Sequence, residues 1–219
     1  MTKEIDFKPR SWSFSAIHQY ETCPLQYVLD KTDPKPREES WALQNGLRLH
    51  ALMENFLLGN IEGVPKDLNC FKKELNSLKE RGALPEEKFC VDKHWQPVVS
   101  EDKWKNKSTW LRGMLDARLG NLVIDLKSGR KYDHYDDQAD IYATMLFQHF
   151  DDWNEIDVEF WYSKTGDVVT YKFLRSEHED RMSNWDKRAR TLMNEKFWLP
   201  KYNFACRWCQ HQDNCELFA

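Results

Sequence analysis

The chain has 219 residues, 41% of them hydrophobic and 31% charged, with a formal net charge of -4. That is enough apolar side chain for one packed domain, or one domain with an appended subdomain. No apolar run approaches the roughly 20 residues of a membrane span, which excludes an integral membrane protein. The first ten residues, MTKEIDFKPR, hold no apolar signal segment, so the cytoplasm is the expected location. The acidic balance argues weakly against indiscriminate nucleic-acid binding but leaves room for a local basic groove.

Residues 1–10 read as a loose arm. Ser13 is placed to cap a helix through Ala16, Ile17 and Tyr20 that stops or kinks near Pro24. Residues 30–40 are a polar loop carrying Pro34 and Pro36. From Trp41 to Leu58 the apolar residues Leu43, Leu47, Ala51, Leu52 and Leu58 make a helical stripe ended by Gly59, and His50 and Glu54, four apart, share a face. A short amphipathic helix follows around Leu68–Lys79, then a break at Gly82–Pro85. Glu86–Val91 reads as the first strand, 92–108 as a hairpin with a solvated end, Thr109–Leu119 as the next strand, Gly120-Asn121 as a tight turn and Asn121–Lys127 as the third strand. A charged loop leads to a helix through Gln138–Phe150. Ile156–Tyr162 and Val168–Phe173 pair across a turn, and 176–196 forms a charged helix. The order predicts a mixed sheet with helices packed against it.

The stretch Trp110–Tyr142 holds the residues best suited to chemistry. Leu122, Val123, Ile124 and Leu126 surround Asp125, so a charged residue sits in a mostly buried strand, which is tolerated mainly when it is paired or bound to metal. Asp125 and Lys127 are two apart and share a face. Asp116 lies on the preceding strand. Two carboxylates and a lysine at a strand end suit Mg²⁺ or Mn²⁺, which prefer oxygen ligands, with the amine beside a metal-activated water; a salt bridge on an edge strand is the plainer alternative. His50 is either a structural histidine or a further ligand. Glu86 and Glu87 open a strand near the same sheet, and one of them is expected to enter the site. Gln138 and Tyr142 share a helical face, directed at phosphates or bases or else one on the surface and one in the core.

Six cysteines in a chain with no signal segment do not point to disulfides. Cys206, Cys209 and Cys215 form a C-x2-C-x5-C cluster. They suit zinc with a histidine such as His211, or a [4Fe-4S] cluster completed by Cys23.

Together these segments resemble the PD-(D/E)XK nuclease superfamily, in the RecB-like and Cas4-like branch with an iron–sulfur cluster. Tyr20–Tyr27 (YETCPLQY) is similar to the branch's first cysteine segment, Gly46–His50 (GLRLH) to its G-x-x-x-H motif, and Glu86–Phe89 (EEKF) to its strand opening. Gly113–Asp116 (GMLD) resembles G-x-x-D, Asp125–Lys127 (DLK) D-x-K, and Gln138–Tyr142 (QADIY) Q-x-x-x-Y. The resemblance implies an α/β fold with a restriction-endonuclease-like mixed central sheet flanked by helices. It implies a single nuclease domain over 1–219, with a cluster-binding subdomain from about 12–30 and 200–219 joining the two chain ends.

By the same resemblance, His50, Asp116, Asp125 and the Leu126 carbonyl bind Mg²⁺ or Mn²⁺. Lys127 positions water, Glu86 joins the catalytic set, and Gln138 and Tyr142 hold the DNA. Cys23, Cys206, Cys209 and Cys215 bind a [4Fe-4S] cluster. The implied activity is a DNA exonuclease acting on ends or single strands, with flap or endonuclease cleavage in some members. Such chains occur in phage genomes, and the implied partners are DNA and proteins of recombination or CRISPR adaptation. Two alternatives remain at this point: a weakly active DNA-binding accessory protein, and a zinc-stabilised interaction module.

Overall fold

The computed structural model describes residues 5–35, 40–131 and 135–218. The chain divides into two compact units, one made of residues 39–181 and one of 1–38 with 182–219.

The larger unit is built on a five-stranded sheet in the order β1 (Leu84–Val91), β2 (Leu111–Leu119), β3 (Leu122–Lys127), β4 (Glu155–Tyr162), β5 (Asp167–Leu174). All neighbours are antiparallel except β3 and β4, which run parallel from Leu122↔Asp157 to Lys127↔Tyr162. A parallel pair needs a crossover, and the helix Tyr135–His149 supplies it. β3 lies in the centre of the sheet and is buried over Val123–Leu126, whereas β5 at the edge is mostly exposed. Asp125 is therefore in a central strand, and the edge-strand alternative does not hold.

In chain order the helices are α1 (Phe14–Thr22), α2 (Pro24–Thr32), α3 (Trp41–Leu57), α4 (Lys72–Glu80), α5 (Tyr135–His149) and α6 (His178–Met193). One apolar core joins Leu49, Met53 and Phe56 of α3 and Leu75 and Leu78 of α4 to Ala117, Ile124, Leu126 and Trp161 of the sheet. Period-2 alternation along β3 sends Leu126 into that core and leaves Asp125 and Lys127 for the opposite face, where α5 brings Gln138 and Tyr142.

One local expectation needs correction. Residues 92–108 form turns rather than a hairpin, with a single bridge between Val91 and Pro97. The Asp92 carboxylate takes the backbone N–H groups of His94 and Gln96 at 2.8 and 2.9 Å, and such side-chain bonds compete with a strand ladder. The first helix stops at Thr22, as expected near Pro24, and a second helix begins at Pro24 itself. Pro24 lacks an N–H that would be unsatisfied in a first turn anyway, and the Cys23 sulfur accepts the Gln26 N–H at 3.5 Å as the cap.

The smaller unit is assembled from both chain ends. Trp12 stacks on Trp185 of α6 at 6.1 Å, and Trp198 packs on Tyr20 and Tyr27 at 6.1 and 5.8 Å. Arg188 holds Glu21 through two hydrogen bonds of 2.8 and 2.7 Å. The tail carries two 3-10 turns, Phe204–Trp208 and Gln212–Asn214. Among the described residues no helix is long and apolar enough to cross a membrane.

Candidate active site

The β2–β3 ladder ends at Ala117↔Ile124. Beyond that point the two strands stop exchanging backbone bonds, and the Asp116 carboxylate takes over: its Oδ2 accepts the Leu126 N–H at 2.7 Å. Its Oδ1 faces His50 Nδ1 at 3.6 Å. His50 Nε2 lies 2.7 Å from the Leu126 carbonyl oxygen, so Nε2 donates there and Nδ1 is the nitrogen turned toward Asp116. Leu126, named above as a backbone metal ligand, thus orients the other two through its N–H and its C=O.

Asp125, 3% exposed, is held on both oxygens. Oδ1 pairs with Lys127 Nζ at 2.6 Å. Oδ2 accepts Tyr142 Oη–H at 2.9 Å and Gln138 Nε2 at 3.2 Å. Lys127 also donates to Gln138 Oε1 at 2.7 Å, and Gln138 donates to Tyr142 Oη at 2.8 Å. Every donor in this circuit meets an acceptor. Tyr142 is buried, and its hydroxyl is pushed well above the usual phenol range by burial and by Asp125, so it stays a donor. The Lys127 ammonium lies over the rings of Tyr135 and Phe160 at 4.3 and 4.8 Å. Gln138 and Tyr142 therefore spend their hydrogen bonds inward, on Asp125 and Lys127. Tyr142 is buried on this circuit, and Gln138 is half-buried.

Burial and the charge of Asp125 push the Asp116 carboxyl up to about 7. Two carboxylates thus share one buried place with less positive charge than they need, and a divalent cation supplies what is missing. A hard cation bonds its ligands at about 2.1 Å, so adjacent ligands stand about 3 Å apart, close to the 3.6 Å between His50 Nδ1 and Asp116 Oδ1. These residues fit Mg²⁺ or Mn²⁺. As the side chains stand, no three His, Cys, Asp or Glu among the described residues are gathered into a closed metal group, because Asp125 is turned to Lys127.

Glu86 and Glu87 part company. Glu87 forms a two-pronged ion pair with Arg118 at 2.6 and 3.1 Å. Glu86 has φ +51°, in the left-handed region that side-chain-bearing residues rarely adopt. The β1–β2 pairs run Pro85↔Ala117 and Glu87↔Leu115, which sets Glu86 across from Asp116 with no ladder pair of its own. Its carboxyl is raised by burial and by Glu54 and lowered by His50, so it stands in the field of the same site.

Sequence reading missed several contributors. Glu54 was seen only as sharing a helical face with His50. Tyr135 and Phe160 carried no signal as platforms for Lys127. The motif glycines have steric reasons: a Cβ on Gly113 would lie 2.4 Å from the Met145 methyl, and one on Gly46 would lie 3.1 Å from Ser128 Oγ, just past Lys127.

In the smaller unit Cys23, Cys206, Cys209 and Cys215 line one pocket. Cys23 Sγ accepts the N–H groups of Gln26 and Lys201, each at 3.5 Å, and Cys206 Sγ that of Asn203 at 3.3 Å. Burial raises the Cys209 thiol, and the other three cysteines raise it further.

A sequence profile of the PD-(D/E)XK nuclease superfamily matches residues 11–216. Among solved structures, a "Putative exonuclease" from Eubacterium rectale superposes with a TM-score of 0.53 at 12% identity, covering 92% of this chain and 88% of its own. A protein named SSO0001 matches with a TM-score of 0.47 at 14% identity over 98% of this chain and 90% of its own. No curated protein matches.

Proposed function

Because the chain belongs to the PD-(D/E)XK nuclease superfamily, we propose that residues 39–181 form a divalent-metal-dependent deoxyribonuclease, acting as an exonuclease on DNA ends or single strands, with flap or endonuclease cleavage as a side activity. Nucleases of this superfamily generally use Mg²⁺ or Mn²⁺, and such an ion, when bound, offsets phosphate charge and makes a bound water nucleophilic. The observation that carries the reading is Asp116, a buried carboxylate raised to about 7 beside Asp125 and facing Nδ1 of His50.

In this reading His50, Asp116 and Asp125 hold the ion, with the remaining lone pair of the Leu126 carbonyl as a further ligand. Asp116 also keeps the β2–β3 fork at a fixed width. Lys127 would orient the attacking water and face the charge that develops on the phosphate. In-line attack by that water would form a P–O bond as the P–O3′ bond breaks, with the water's proton passing to solvent and the 3′ oxygen taking one from it. Gln138 and Tyr142 keep the Asp125 and Lys127 side chains in place, and Gln138 is the one assigned a contact with the DNA strand. Glu86, across from Asp116, would add a further carboxylate to the site.

The same reading extends to the smaller unit. Cys23, Cys206, Cys209 and Cys215 bind a [4Fe-4S] cluster that staples the chain ends, as in the RecB-like and Cas4-like branch. Thiolates need donors and counter-charge, and the backbone N–H groups on Cys23 and Cys206 supply the first. The setting is cytoplasmic, with DNA-recombination or adaptation proteins as partners.

The test is digestion of DNA labelled at one end, single- and double-stranded, with the 5′ or 3′ end blocked in turn, under Mn²⁺ and under chelator. Mn²⁺-dependent loss of label that Asp116→Asn abolishes is the expected result. Equal cleavage by wild type and Asp116→Asn overturns the site.

A further inference from the structure

The β1–β2 edge of the larger unit gathers positive charge on aromatic rings. Lys88 stands across from Met114 and Cys90 across from Arg112, so these four side chains share one side of the two strands. Trp104, half-buried in the turns after β1, lies against both cations. Lys88 Nζ is 5.7 Å and the Arg112 guanidinium carbon 5.6 Å from its ring centroid, and Arg112 Nη1 donates to the Trp104 carbonyl at 3.5 Å. Lys103, one residue earlier, lies over Phe89 at 5.7 Å. Other cations of this unit meet carboxylates: Arg118 takes Glu87 at 2.6 Å, and Lys172 takes Glu155 and Asp157 at 3.1 and 3.0 Å. Lys88 is exposed and forms no ion pair among the described residues. Residues Lys103–Arg112, KWKNKSTWLR, hold four basic side chains and no acidic one, in a chain whose formal net charge is -4.

This ledge runs up to the candidate site. Two residues along the strands from Lys88 and Met114 stand Glu86 and Asp116, a step of about 6.7 Å. We propose that Lys88 and Arg112, held by Trp104, seat the phosphate backbone of a single DNA strand where it meets the metal site. Local positive charge on an acidic chain suits a polyanion and keeps the rest of the surface from competing for it. Met114, 39% exposed between the cations, offers an apolar surface, and bases turn their faces to such a surface when they are unpaired. The inference rests on the nuclease reading for the identity of the polyanion, and its test is read by binding so that the two stand or fall apart.

The probe is a fluorescein-labelled single-stranded oligodeoxynucleotide, bound to the full chain in chelator and followed by anisotropy across a salt series. The slope of log K against log[salt] changes by about 0.7 for each phosphate contact on a single strand. Lys88→Gln and Arg112→Gln are each expected to weaken binding and flatten the slope by about that amount, and Arg112→Lys, which keeps the charge, to restore the slope. Lys172→Gln, on β5 at the other edge of the sheet, keeps the wild-type affinity and slope. Under Mn²⁺, Lys88→Gln raises KM for single-stranded DNA with kcat held. Failure of wild type to bind the oligonucleotide overturns the proposal. So does wild-type affinity and slope in both glutamine variants, equal weakening in Lys172→Gln, or binding of poly-L-glutamate as tight and as sensitive to the same variants. The nuclease reading falls separately, if Asp116→Asn cleaves like wild type, whatever the binding result.

Discussion

Asp116 Oδ2 accepts the Leu126 backbone N–H at 2.7 Å, so one side chain takes the place of a ladder bond where β2 and β3 separate. The carboxylate is thus structural on one oxygen and open on the other, which faces His50. Its charge is opposed by burial and by Asp125, and this sets a pH signature. The folded-state carboxyl titrates near 7, above its usual unfolded value of about 4. The folded state therefore binds more protons than the unfolded chain between these values, and stability from this group is full below about pH 4 and lost as pH rises through 7. Asp116→Asn is expected to flatten that segment of the metal-free Tm–pH curve. Mn²⁺ competes with the proton, so its stabilising effect grows over the same interval; thermal melts at stepped pH, with and without Mn²⁺, check both.

Removing Asp125 tests a different linkage. Asp125→Ala leaves Lys127, 11% exposed at its side chain, without its carboxylate, and breaking a buried ion pair from one side costs about 3–5 kcal/mol. Asp125→Asn keeps one oxygen, for Lys127, and turns its amide NH2 toward Tyr142 Oη, which can rotate to accept it, so it is expected to unfold closer to wild type than Asp125→Ala. Both variants abolish Mn²⁺-dependent cleavage. Urea midpoints separate the fold effect from the activity effect.

Tyr142→Phe removes one hydroxyl from a closed circuit. Asp125 loses a donor and Gln138 an acceptor, for about 1–3 kcal/mol of stability. With Tyr142 buried and bonded to Asp125, kcat is expected to fall about 10-fold with KM for single-stranded DNA unchanged. A rise in KM at constant kcat would assign the tyrosine to the substrate instead.

Glu86→Gly is expected to raise stability and lower activity together. At φ +51° glutamate is strained and glycine is not, a gain of about 1 kcal/mol. The lost carboxylate slows cleavage. Glu86→Gln, which keeps the strain and removes only the charge, should lose activity without the gain in Tm.

Much of the site was legible because two simple periods act on it. Alternation puts Asp125 and Lys127 on one side of β3, and a four-residue step puts Gln138 and Tyr142 on one side of α5. The structure then closes the two pairs onto each other. Asp116 and the α/β order of elements were readable in the same way, whereas His50 was drawn to the site only by the resemblance of Gly46–His50 to a G-x-x-x-H motif. The left-handed turn of the chain at Glu86 was not, because nothing in EEKF demands it; it arises where β1 runs alongside the fork at Asp116. Nor was the inward use of Gln138 and Tyr142, since spacing tells which residues share a face and not whether that face meets solvent or a buried carboxylate. The turns at 92–108 were misread because Asp92 supplies its own backbone partners, a local choice that hydrophobic periodicity does not register.

The smaller unit needs both termini. Trp12 must wait for Trp185, and Tyr20 for Trp198, before either can leave water. During synthesis, then, the residues made first are among the last to settle, while 39–181 contains its complete sheet and can close as soon as it clears the ribosome. A stop codon at any of positions 208–215 would leave residues 39–181 whole yet take Cys215, and at 208 or 209 Cys209 as well, so that Cys23 of the opening segment loses neighbours in its pocket.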